Sequence, residues 1–171
     1  GDKPVGNEKD FYAYGDNFAN NGGDILRGNI RSLADLPKLK NLRRVSLAYQ
    51  DITDLTPLAQ LAALEFVDLR HNPFSDISAL AKLEKLNTLT IFDSQVTDLS
   101  ALQTCPRLAM LDVGLTPITS LAALQGLDTL HVLMIRKSAL RSLDGIQNHT
   151  LLEEVYLTET QVTDLAPLLD L

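Results

Sequence analysis

Tryptophan is absent from this chain of 171 residues, and aromatic residues make up only 5% of it. The apolar share is still 45%, so any interior must be aliphatic and built largely from Leu. Cysteine occurs once, at Cys105, which excludes an intrachain disulfide and a disulfide-stapled scaffold. Positive charge is in deficit: the net charge is −7 and the isoelectric point about 4.8. Nucleic acid is therefore not an expected partner, because phosphate binding needs a concentrated basic face. No apolar run approaches the ~18–20 residues of a membrane span, so no membrane insertion is expected. The opening stretch GDKPVGNEKDFYAYGDN has no apolar h-region of a signal peptide. P-loop, GxSxG, HExxH, CxxC and EF-hand patterns are all missing, and with them the usual grounds for expecting catalysis, a cofactor or a metal.

What the chain does have is one line written six times. A 22-residue period runs through 33–54, 55–76, 77–98, 99–120, 121–142 and 143–164, and a seventh unit starts at Leu165. The first apolar column holds Leu33, Leu55, Ile77, Leu99, Leu121, Leu143 and Leu165; the second holds Leu36, Leu58, Leu80, Leu102, Leu124, Ile146 and Leu168. A third column reads Leu39, Leu61, Leu83, Cys105, Leu127, His149 and Leu171. Spacing then drops to two in pairs such as Val45 and Leu47, Val67 and Leu69, or Leu111 and Val113. Two-apart apolar residues predict a short strand, and LxxLxxL predicts a tight helical return, 3₁₀ or short α. One such coil cannot bury its own apolar face, whereas stacked coils bury each other's. The expected strands centre on 45–47, 67–69, 89–91, 111–113, 133–135 and 155–157, parallel in one sheet.

These columns resemble the leucine-rich repeat family, and the 22-residue length with ITDL, FSDI and VTDL junctions is similar to its bacterial internalin-like class. The resemblance implies an α/β solenoid, a right-handed superhelix with a parallel concave sheet and short 3₁₀ or α segments on the convex side. The expected domains are a leader and capping segment over 1–24, loose at about 1–8, and a repeat domain over 25–171. The family's turn asparagine falls at Gln50, Asn72, Ser94, Thr116, Ser138 and Thr160, so shorter side chains or buried water must serve that ladder. Asp54, Asp76, Asp98, Ser120, Ser142 and Asp164 precede the leucines that open each return and are expected to cap them.

Strand alternation places the variable residues on the inner curve. The core columns are near-uniform; the facing columns are not. They hold large apolar residues, Phe66, Phe92, Met110, Leu115, Met134, Tyr49 and Tyr156, with Arg44, Arg70, His71, Arg136 and Lys137 among them. Aromatics with Arg are the composition of binding hot spots, and a contiguous exposed apolar patch marks a partner site. These twelve residues are the expected contact set for a protein partner of unknown identity. His71 lies one strand spacing from Asp93 and is expected to pair with it without forming an active site. Cys105 reads as a small buried hydrophobe, and His149 as a distortion of its coil with the imidazole tilted outward.

The resemblance implies a non-catalytic binding module of a bacterial surface or secreted protein, in adhesion or recognition, extracellular rather than cytoplasmic. Alternatives are a spacer or sensor ectodomain of a larger chain, a kinase or phosphatase regulator and, last, a glycan binder. At Leu171 two expectations compete. Either the natural chain continues and the cut end self-associates, or Leu165, Leu168 and Leu171 fold over the last strand as a lid.

Overall fold

The computed structural model describes Asp10–Tyr12, residues 28–169 and Leu171. The expected leader and most of the expected cap lie outside the described residues. Seven strands form one sheet in chain order, every neighbouring pair parallel: β1 (Asp10–Tyr12), β2 (Arg44–Ser46), β3 (Phe66–Asp68), β4 (Thr88–Thr90), β5 (Met110–Asp112), β6 (Val132–Met134) and β7 (Glu154–Tyr156). From β2 onward the register advances by one repeat per strand, with Arg44 opposite Phe66, then Thr88, Met110, Val132 and Glu154. Parallel strands need a crossover, and the rest of each 22-residue unit supplies it.

Each strand is one residue shorter at its end than the apolar pairs predict. The ladder nevertheless runs on: the Leu47 amide donates to Asp68 O and the Tyr49 amide to Arg70 O, and the later coils repeat both bonds. The residue that donates this second bond also turns left-handed. Tyr49, His71, Asp93, Leu115, Lys137 and Glu159 all have φ between 51° and 60°. None is glycine, so each coil carries one costly backbone position.

The returns are 3₁₀, and none of the described ones is α: Leu36–Lys38, Thr56–Gln60, Ser78–Lys82, Ser100–Thr104, Ala122–Leu124 and Ala166–Leu168. The leucine spacing explains the choice. A 3₁₀ helix repeats every three residues, so LxxLxxL keeps its leucines on one face. The leucines also bond one another: Leu58 N to Leu55 O, Leu61 N to Leu58 O and Leu64 N to Leu61 O, each at 2.9 Å. The capping expectation holds at all six junctions. Asp54, Asp76, Asp98 and Asp164 accept from the amide two residues on at 2.7–2.8 Å, and Ser120 and Ser142 do so at 3.1–3.2 Å. These bonds pull the Asp54 and Asp76 carboxyls below their ordinary value, the Thr56 and Ser78 amides being the largest cause.

Residues 143–152 break the pattern and form turns without a 3₁₀ segment. At Gly145 φ is 113°, and a Cβ there would meet Leu121 O at 2.5 Å, so the chain passes against the previous coil where only glycine fits. His149 corrects the sequence expectation. It is buried rather than tilted outward, with Nδ1 3.0 Å from Ile146 O and Nε2 3.0 Å from Leu124 O. Backbone carbonyls that a leucine would ignore give the imidazole a reason to stay inside. Cys105, in the same column, is buried as expected, donates to Leu80 O at 3.5 Å, and has its thiol pushed up to about 11 by burial.

The core is continuous from Leu33 to Ile146, and most of its side chains are fully buried. At the front, β1 occupies the edge of β2 with Phe11 opposite Val45, a strand the sequence expectations did not include. The half-coil at 28–32 stacks on the first full one through Gly28 N to Tyr49 O and Asp51 N to Ile30 O. The last coil differs. Leu152, Val155, Leu157, Val162 and Leu168 are only partly buried, and Leu165 and Leu169 are 55% and 83% exposed. Leu168, in the 166–168 turn, packs against the core but leaves Leu157 and Val162 only partly covered, while Leu165 stays exposed.

Candidate functional site: the concave strand face

Strand geometry alone places the candidate residues. Val45 and Leu47, and their counterparts in each coil, point into the core, so the residues between and beside them face the inner curve. The column between them is lined by Ser46, Asp68, Thr90 and Asp112, all of them buried. Asp68 is fully engaged: Ser46 Oγ donates to it at 2.8 Å, and Arg70 holds it through Nε at 2.9 Å and Nη2 at 2.8 Å. Asp112 has less support, from the Gly114 amide at 3.0 Å and Arg136 Nη2 at 3.5 Å. Burial raises the Asp112 carboxyl above its ordinary value, against the opposing pull of Gly114, Arg136 and Arg70.

The twelve residues singled out in the sequence all keep exposed or half-buried side chains: Arg44, Leu115, Lys137 and Tyr156 are exposed, and Tyr49, Phe66, Arg70, His71, Phe92, Met110, Met134 and Arg136 are half-buried. Several form one ridge. Tyr49 stacks on His71 with ring centroids 4.0 Å apart, and His71 meets Phe92 edge-on at 5.3 Å. The Arg136 guanidinium lies between Phe92, at 6.0 Å, and Tyr156, at 5.9 Å. Gly114 makes the crossing possible, because a Cβ there would stand 2.7 Å from the Phe92 ring. The ridge thus runs from the first full coil to the last. Phe66 stands apart from it under Arg44, 4.4 Å from the guanidinium carbon to the ring centroid.

The His71–Asp93 pair is present, Nδ1 to Oδ2 at 2.7 Å. Among the described residues, no group of three or more His, Cys, Asp or Glu has the disposition of a metal site. His131, for which the sequence reading expects no acid in the adjacent units of its column, in fact has Glu153 one coil on at 3.8 Å. Sequence reasoning missed the ridge's continuity, because nothing in a column marks Gly114 as the place where a neighbour's ring lies.

A profile for leucine-rich repeats (two copies) matches residues 40–82. The fold is a leucine-rich-repeat solenoid, and its repeats are internalin-like. Among solved structures, an internalin of Listeria monocytogenes is similar at 25% identity over 83% of this chain and 49% of its own, with a TM-score of 0.66. A leucine-rich-repeat protein of Leptospira interrogans shares the fold at 20% identity, over 82% of this chain and 37% of its own, with a TM-score of 0.75. A plant peptide hormone receptor, solved in complex with its partner RGF2, does so at 20% identity, over 76% of this chain and 23% of its own, with a TM-score of 0.65. The chain therefore spans about half the length of the Listeria internalin. Curated proteins give no significant match. Leucine-rich-repeat folds are typical of protein–protein interaction modules and are generally non-catalytic. No helix among the described residues is long and apolar enough to cross a membrane.

Proposed function

We propose that the solenoid is a non-catalytic recognition module that binds a protein partner across its concave strand face, as part of a bacterial surface or secreted adhesion or recognition protein. The ridge from Tyr49 through His71, Phe92 and Arg136 to Tyr156 carries this reading. Large rings already in contact with each other lose little side-chain freedom when a partner covers them, which is how binding hot spots gain affinity. Similarity to a Listeria internalin supports the bacterial assignment, and that internalin's greater length supports a module within a larger protein.

The test is a double variant, Phe92→Ser with Tyr156→Ser, compared with the parent against a partner isolated from the native host and then purified. A loss of at least about tenfold in affinity with an unchanged melting temperature is expected, since two hot-spot residues are removed. Unchanged affinity sinks the concave-face assignment.

A further inference from the structure

The cations of this acidic chain are unevenly distributed. In the first four full coils, the stretches that lead into each strand (38–44, 60–66, 82–88 and 104–110) carry seven Lys or Arg against two carboxylates. The equivalent stretches of the last two coils (126–132 and 148–154) carry no Lys or Arg and three carboxylates, Asp128, Glu153 and Glu154. The solenoid's strand-start rim is thus positive at one end and negative at the other, in a chain of net charge −7.

The positive end contains a hollow of about 280 Å³ lined by Arg44, Lys85 and Arg107, with Phe66 as an apolar wall. Glu65 also lines it, but Arg43 holds both of its carboxylate oxygens through Nη2 at 2.6 Å, so the acid is already matched. Lys85 and Arg107 have no contact ion pair among the described residues, and both are exposed. Asn87 Nδ2 donates to Arg107 O at 3.2 Å, tying the loop that carries Arg107 to the preceding coil.

We propose that this hollow receives the carboxylates of an acidic segment of the protein partner; the proposal rests on the concave-face reading and adds the partner's chemistry to it. Charge complementarity is one argument. Spacing is the second. Arg44, Lys85 and Arg107 come from coils one, three and four, and strands lie ~4.8 Å apart, so the cations spread over roughly 14 Å. A compact anion such as phosphate needs donors converging on one point. An extended peptide with carboxylates on one face presents them every ~7 Å, and three such groups cover the same span. Phe66, its ring centroid 4.4 Å from the Arg44 guanidinium carbon, also lines the hollow and offers an apolar wall to the stems of those side chains.

The probe is fluorescein-labelled hexaglutamate, followed by fluorescence anisotropy against the intact chain at low and raised salt. Saturable, salt-sensitive binding is expected, weakened at least about tenfold by Lys85→Glu with Arg107→Glu. The control Arg31→Glu with Arg141→Glu makes the same charge change away from the hollow and is expected to weaken binding less than about twofold. Equal losses in both variants would reduce the attraction to diffuse net charge and overturn the proposal. Displacement of the peptide by inorganic phosphate at equal charge concentration would overturn it as well. Should the Phe92→Ser/Tyr156→Ser variant lose the native partner while hexaglutamate does not bind the parent, the acidic-segment proposal fails and the concave-face reading stands.

Discussion

The Asn72 side chain does the work of a small scaffold. Its Oδ1 accepts from Ile52 N of the previous coil at 3.0 Å, while Nδ2 lies within 2.8–3.2 Å of Leu47, Leu69 and Arg70 carbonyls. Ser94, one coil on, follows the same left-handed turn but ends too soon, and its buried hydroxyl has no partner. Thr116 reaches only its own coil, through Val113 O at 2.6 Å. Ser94→Asn is therefore expected to stabilise the fold by about 1 kcal/mol, through bonds between coils that Ser cannot make. A urea midpoint at or below the parent's would show that the coils cannot accept the longer side chain. Asp112 offers a pH test. Its folded pKa is raised, so its contribution to stability is fully present below its ordinary value of 3.8 and is lost as pH rises through the folded value. Asp112→Asn should match or exceed the parent's stability at neutral pH, with the gap closing below about pH 4. A parent that is more stable at pH 7 would mean that the Arg136 contact outweighs the burial cost.

Strand and return were legible because two periodicities are written side by side. Val67 and Leu69 sit two apart, Leu55, Leu58 and Leu61 three apart, and each spacing matches the backbone that forms. The returns at Thr56–Gln60 and Ser78–Lys82 and their Asp caps could be read directly for that reason. The 143–152 turn could not, because the fit of Gly145 against Leu121 O and of His149 against two carbonyls depends on the neighbouring coil. β1 was missed for a different cause: its partner β2 is 34 residues away, outside the 22-residue register. At the candidate site, columns identified which side chains face outward, but ring-to-ring contact depends on rotamers that columns do not encode. Face assignment can be checked on one element. Leu111→Ala, from a fully buried position in β5, is expected to cost roughly 2–5 kcal/mol. Thr88→Ala, half-buried on the concave side of β4, should cost under about 0.5 kcal/mol. Similar denaturation midpoints for the two variants would mean that the register is wrong.

Across the molecule, stability should be graded. Each coil leans on two neighbours, but the last described coil is packed on one side only, and its counterparts of fully buried residues are half-exposed. Amide exchange is expected to be slowest in β4 and β5 and fastest in β7, the end with fewest buried contacts. The same surface is the expected seat of self-association, through the exposed Leu151, Leu165 and Leu169 and the outer edge of β7, which pairs with no other described strand. Sedimentation over a wide concentration range should show a rising average mass, and Leu165→Lys with Leu169→Lys should abolish the rise. A constant monomer mass for the parent, with slow exchange over 165–171, would show that the 166–168 turn closes the end after all.

The left-handed column sets a limit on how such a surface can diversify. Tyr49, His71, Leu115 and Lys137 belong both to that column and to the candidate contact set. A positive φ is tolerated poorly by side chains branched at Cβ, and Val, Ile and Thr are absent from all six positions. The recognition alphabet there is restricted by the backbone before any partner is involved. Glycine would relax the turn by about 1 kcal/mol and leave the position blank. Retargeting by mutation would therefore have to draw on unbranched, aromatic or polar letters in this column and leave branched aliphatics to the strand positions beside it.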